Sequence, residues 1–170
     1  MRVRALTPED AVVFQAMRLR ALREEQTAFA SSYEEEVTRP IEDIAHRLQA
    51  KADGAIFGSF KEGELVGVLG VQREGMRKLS HKAFIWGMYV SPEVRGQGHG
   101  ALLMRDALEY AWQVLRVIQV NLGAHTLNES ALRLYRRFGF EIYGTELGAL
   151  YVNGSLQDEY HMVCRAPHAV

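Results

Sequence analysis

The sequence predicts an α/β fold built on one mixed, mostly antiparallel sheet of about seven strands, with helices on both faces. Three observations lead there. Apolar residues alternate with polar ones, or cluster, in several stretches of strand length. Two other stretches, Thr7 to about Glu25 and Gly98 to Arg116, repeat at helical spacing. Hairpin turns occur together with a β-α-β crossover, which places parallel and antiparallel neighbours in one sheet.

Along the chain, Arg2 to Leu6 alternates and reads as a short strand. Thr7 then offers an N-cap oxygen, Pro8 a first helical position, and Glu9 and Asp10 a first turn suited to the helix dipole. The helix runs to about Glu25, its turns marked by Val13, Met17, Arg20-Ala21 and Glu24, with Val12, Phe14 and Leu22 adding apolar surface. Thr27 to Arg39 is more polar and reads as a loop, after which Pro40 opens a second short helix, Ile41 to Gln49. Ile56 to Phe60 and Leu65 to Val71 flank Lys61-Glu62-Gly63-Glu64, a hairpin signal, and Lys82 to Val90 is a third strong strand. In the helix from Gly98 to Arg116, Leu103, Met104, Ala107, Leu108, Ala111 and Val114 form one stripe. A strand (Val117 to Ala124), a helix (Glu129 to Arg137), a strand (Phe140 to Thr145) and a hairpin turning at Asn153-Gly154 and returning through Gln157 to Arg165 complete the order. Residues 1–170 read as one domain, with Ala166 to Val170 as a frayed tail.

Composition narrows the function classes. The chain has 170 residues and a formal charge of -1, so no global field draws it to nucleic acid or an anionic membrane. Cys164 is the only cysteine, which excludes an internal disulfide and suits a reducing compartment. No histidine–cysteine cluster has metal-ligand spacing, so no metal is expected. The N-terminus lacks the apolar core of a signal peptide, and Ala83 to Val90 is too short to span a bilayer, so the expected location is the cytoplasm.

The informative segment joins the third strong strand to the helix after it: Val90-Ser91-Pro92-Glu93-Val94-Arg95-Gly96-Gln97-Gly98-His99-Gly100-Ala101. Three glycines at alternate positions let backbone N–H groups converge where side chains would block a ligand, and helix-start amides attract an anion. Arg95 adds a charged fork of donors at the rim. The turn therefore reads as a phosphate or pyrophosphate cradle. It does not spell a dinucleotide loop, because Asn121 stands near the position where an acidic residue belongs. Nor does it spell a nucleotide-triphosphate loop, because Ala101-Leu102 follows the last glycine.

These residues carry a resemblance. Arg95-Gly96-Gln97-Gly98-His99-Gly100 is similar to the Arg/Gln-x-x-Gly-x-Gly/Ala motif of the GNAT superfamily of N-acetyltransferases, and Gly87-Met88-Tyr89-Val90 resembles its splayed fourth strand. Asn128 to Phe140, with Ala131, Tyr135 and Gly139-Phe140, resembles the second motif of that family, at a matching distance. The resemblance implies a GNAT-like fold with splayed fourth and fifth strands and acetyl-coenzyme A as acetyl donor. The amides of Gly96, Gln97, Gly98, His99, Gly100 and Ala101 would take the pyrophosphate. The backbone of Met88, Tyr89 and Val90 would take the pantetheine arm and, at Met88 to Tyr89, the oxyanion. Asn128, beside Ala131, would bond the pantetheine amides as well as capping its helix, and Tyr135 would be the general acid that protonates the leaving thiolate.

The implied activity is transfer of acetyl to a primary amine by direct attack in a ternary complex. The acceptor is a small-molecule or peptide amine, with no nucleic acid or membrane partner and with room for a homodimer. An idle acyl-CoA-binding sensor is the alternative. Some relatives place a glutamate base on the fourth strand, but Ala83 to Val90 holds no acid. The base is left among Glu34, Glu35, Glu36, His81, His125 and water. The plain alternative for the three glutamates is a solvated run; their charge favours a cationic acceptor.

Overall fold

The computed structural model describes residues 1–167; the rest of the tail read as frayed, residues 168–170, lies outside them. Ala166 is tied down, its N–H donating to the Ile118 carbonyl at 3.0 Å. One seven-stranded sheet organises the chain, in the order β1-β2-β3-β4-β5-β7-β6. Its strands are β1 (Arg2–Ala5), β2 (Gly54–Lys61), β3 (Glu64–Arg73), β4 (Lys82–Val90), β5 (Gln119–His125), β6 (Glu141–Val152) and β7 (Ser155–Arg165). All neighbours are antiparallel except β4 and β5, the product of the β-α-β crossover. Both hairpins turn where expected, on the left-handed pairs Glu62-Gly63 and Asn153-Gly154.

Helices α1 (Ala11–Glu24), α2 (Tyr33–Glu36) and α3 (Ile41–Arg47) precede β2; α4 (His99–Gln113) and α5 (Glu129–Arg137) follow β4 and β5. Each sheet face has its own core. Leu103, Met104, Ala107 and Ala111 of α4 and Leu132 and Tyr135 of α5 pack with Leu69, Ile85, Val120 and Met162. On the opposite face Phe14, Met17 and Ala21 of α1 and Ile44 of α3 pack with Ile56, Val68 and Tyr89.

The structure differs from the sequence reading in three places. The buried residues of α1 are Ala11, Phe14, Gln15, Met17, Arg18, Ala21 and Leu22, while Val12 and Val13 face solvent. A long polar side chain, Arg18, occupies a core-facing position, so an apolar-only pattern registers the helix wrongly. Helix α4 stops at Gln113, which exposes Val114 and buries Leu115 instead. Within the expected loop, Ser32 caps the four-residue helix α2, its hydroxyl accepting from the Glu35 N–H while the Glu35 carboxylate accepts from the Ser32 N–H.

Candidate functional site

Strands β4 and β5 pair only at Lys82–Gln119, Ala83–Val120 and Phe84–Asn121. Beyond these residues they part, and a cleft of about 900 Å³ opens between them. The divergence coincides with a bulge. Val68 of β3 faces Tyr89, but Gly70 faces Trp86, so β4 carries one residue more than its partner across this stretch. Gly87 absorbs it with a φ of +65°, a conformation costly for any residue with a Cβ. The extra residue also reverses the alternation. Ala83, Ile85, Met88 and Val90 contact the α4–α5 core, whereas Trp86 and Tyr89 contact the α1–α3 core.

At the end of β4 the chain turns through Pro92–Val94 and enters α4 at Gly98, whose φ of +92° serves as a left-handed cap. No side chain among the described residues caps this helix, so its first-turn amides are available to a ligand. Space at Gly100 is tight: a Cβ there would lie 3.2 Å from Met88 Cε and 3.3 Å from Leu134 Cδ2, so those side-chain ends would have to give way. Arg95 is already engaged, its Nε donating to the Val90 carbonyl at 2.9 Å and its Nη2 pairing with Glu25 at 2.8 Å. The His99 ring is buried against Ser59, with Nδ1 2.8 Å from the hydroxyl, and burial lowers its pKa. His99 therefore has only its main chain to offer. Of the thirteen site residues named from sequence, all line the cleft except Gln97, whose side chain bonds Lys61 and the Glu93 carbonyl outside it.

Helix α5 forms the facing wall. The Asn128 carbonyl oxygen caps it by accepting from the Ala131 N–H at 3.2 Å, which leaves the amide nitrogen free of that bond. Tyr135 is buried, its ring tilted 6.0 Å from Phe140, and burial pushes its phenol up to about 12.

The expected bases are scattered. Glu36 is not part of a solvated run: it is buried in an ion pair with Arg18 at 3.0 Å. Glu35 is held in the Ser32 cap, and none of Glu34, Glu35 and Glu36 lines the cleft. His81 precedes β4 at the end remote from the cleft. His125 does line it, but Nε2 bonds Gln157 at 2.8 Å and Nδ1 accepts from the Leu127 N–H at 3.3 Å. A carboxylate missed in the sequence is Glu159 of β7, paired in register with His125. Its Oε2 lies 3.0 Å from where a Cβ of Gly123 would stand, within the cleft wall. Burial, reinforced by Glu146, raises its pKa.

A family model described as "Acetyltransferase (GNAT) family" matches residues 19–140. The chain belongs to the GNAT family of acetyltransferases. This GNAT chain is 32% identical over 101 residues to the L-amino acid N-acetyltransferase AaaT of Escherichia coli, covering 59% of this chain and 62% of that one. It is 27% identical over 82 residues to the Escherichia coli spermidine N(1)-acetyltransferase, covering 48% and 44%. The matches thus span well short of those relatives' full lengths. The GNAT fold is seen again in an acetyltransferase of Streptococcus pneumoniae, at a TM-score of 0.87 and 22% identity over 97% of this chain and 99% of the other. No helix among the described residues is long and apolar enough to cross a membrane.

Proposed function

We propose that this GNAT chain moves an acetyl group from acetyl-coenzyme A to a primary amine by direct attack, with both substrates held in the cleft together. The observation that carries this reading is the junction of an uncapped helix start with a strand edge released from pairing: Gly98 to Ala101 meets Met88 to Val90 on one cleft wall. The amides of Gly96 and of Gly98 to Ala101 fit a pyrophosphate, that of Gln97 being held by the Val94 carbonyl. Nothing stands within 4 Å of where a Cβ of Gly96 or Gly98 would lie, which leaves the approach open. The unpaired edge of β4 fits an amide-bearing arm laid down like another strand, with the Asn128 amide nitrogen facing it from α5. A main-chain N–H at Met88 or Tyr89 stabilises the oxyanion.

Tyr135, protonated throughout the neutral range at a pKa of about 12, gives its proton to the leaving thiolate. Glu159 takes the proton of the incoming ammonium, since the burial that raises its pKa also makes it a stronger base. The lone thiol, Cys164, is buried and donates toward the Phe138 carbonyl, so no covalent acyl-enzyme step is assigned to it. Relatives named for L-amino acid and for spermidine acetylation support an amine as acceptor. The test is a screen of amines with acetyl-CoA, read as free-thiol release. CoA binding by calorimetry without thiol release from any amine would favour an acyl-CoA sensor instead.

A further inference from the structure

The α1–α3 side of the cleft carries a positive charge that the reaction outlined above does not use. Arg18 projects from the inner face of α1 with only 6% of its side chain exposed. Its Nε and Nη2 are bound to Glu36, and its plane lies over the Phe29 ring at 4.8 Å. Its Nη1 has no hydrogen-bond partner among the described residues, though it is fully buried. That nitrogen faces the bulge of β4: a Cβ on Gly87 would stand 3.6 Å from it. A buried guanidinium with donors left over is costly unless something meets them.

Arg47 joins it from α3. Its guanidinium lies 4.6 Å over the Trp86 ring, half-buried, with no ion pair among the described residues. Arg18 and Arg47 both line the cleft. Glu36 offsets only one of the two charges, Glu25 is bonded to Arg95, and Arg39 adds a third positive charge near Arg47. Burial and these two arginine neighbours lower the Arg47 pKa. The acidic run that favoured a cationic acceptor does not line the cleft; on this side Arg18 and Arg47 do, and Glu25, which also does, is taken up by Arg95. The other carboxylate on this side is Glu159 of β7.

We infer that Arg18 and Arg47 form a carboxylate-binding subsite, and that the acceptor is a small amine carrying a carboxylate, of the amino-acid kind. The carboxylate meets Arg18 Nη1 and Arg47 across the open face of Gly87, and the amine lies toward Glu159. Guanidiniums recognise carboxylates through parallel N–H donors, and Arg18 is already fixed in plane by Glu36 and Phe29. This assignment rests on the acetyl-transfer reading above.

The experiment measures thiol release from acetyl-CoA with a panel of L-amino acids, each beside its own amide and the amine left after decarboxylation. An amide's amine is less basic than that of the acid, so a slower amide cannot be explained by protonation. The acids are expected to exceed their amides in kcat/KM by about 10²-fold or more, as for a site built to bond a lost group. Arg47→Gln should collapse that ratio toward one and Arg47→Lys should restore part of it, which a merely structural role would not do. Because Arg18 alone leaves Glu36 stranded, it is tested as Arg18→Gln with Glu36→Gln.

Amides or decarboxylated amines used as well as acids, or a ratio untouched in Arg47→Gln, would overturn the subsite while leaving acetyl transfer standing. So would a peptide amine that outcompetes every small acid. If no amine releases thiol, the acetyl-transfer reading fails, and the subsite is decided by binding. An N-acetyl amino acid with CoA must then raise Tm more than its amide does, through Arg47; no difference overturns it.

Discussion

Arg18 Nη1 lies 3.6 Å from the point where Gly87 would carry a Cβ. A buried cation and the bulge that splits the sheet therefore share one small space, and a glycine keeps it open. Gly87→Ala is expected to cost about 1–2 kcal/mol of stability, because its φ of +65° is left-handed. Urea unfolding measures this; a variant as stable as the parent would mean that the bulge relaxes.

Gly98 allows the phosphate turn to be separated from stability. Asn tolerates a left-handed φ better than other side chains, so Gly98→Asn should fold while placing an amide on the anion approach. CoA affinity by calorimetry is expected to fall by about tenfold or more, the order of one lost charged hydrogen bond. Unchanged affinity in the folded variant would remove the turn from the cofactor site.

Tyr135→Phe removes a hydroxyl with no protein hydrogen bond among the described residues, so Tm and CoA affinity should hold. Turnover should fall by about 10²-fold where chemistry limits the rate. With the phenol near 12, no alkaline limb belonging to Tyr135 should appear in the rate profile at physiological pH. Equal turnover in the Phe variant would leave the tyrosine a packing role alone.

Glu159 gives the pH dependence its sign. Its pKa in the fold is above the unfolded value, so its share of stability is present in acid and is lost as pH rises through the folded pKa. Glu159→Gln should accordingly be more stable than the parent at neutral pH and equal to it in acid, while kcat drops and the acidic limb of kcat/KM disappears. Thermal melts across pH and rate profiles check the two halves separately. A retained acidic limb would give the base role to another group.

Glu36 behaves in the opposite way. Burial is the largest single influence and pushes its carboxyl up, but the Arg18 hydrogen bonds and charge, with a Ser31 hydrogen bond and the Arg47 charge, together outweigh it and the pKa is lowered. Its stabilisation holds above the unfolded pKa and fades as pH falls toward the lower folded value. Glu36→Gln strands Arg18 and should cost about 3–5 kcal/mol at neutral pH; a loss under about 1 kcal/mol would mean that Arg18 finds another partner.

The parts legible in the sequence were those written locally. Strand alternation, the Glu62-Gly63 and Asn153-Gly154 turns, the α4 stripe and the glycine turn each depend on residues within a few positions. What stayed hidden depends on contacts across the chain. Glu36 reads as one of three solvated glutamates because its partner is eighteen residues earlier, on another helix. Glu159 reads as an ordinary strand polar residue until β7 inserts between β5 and β6 and sets it opposite His125. Arg18 broke the apolar pattern of α1 for the same reason: its counter-charge comes from outside the helix.

The bulge at Gly87 sets a reading frame within β4. Upstream, odd-numbered side chains point toward α4 and α5; downstream, even-numbered ones do. Losing one residue between Ala83 and Trp86 would send the upstream side chains to the wrong core, and losing one at the bulge would do the same to Met88 to Val90. Insertions and deletions therefore have room in the loop before the strand, around Glu74 to His81, and none in the strand itself or in the turn after it, which sets Arg95 and Gly96 at the cleft.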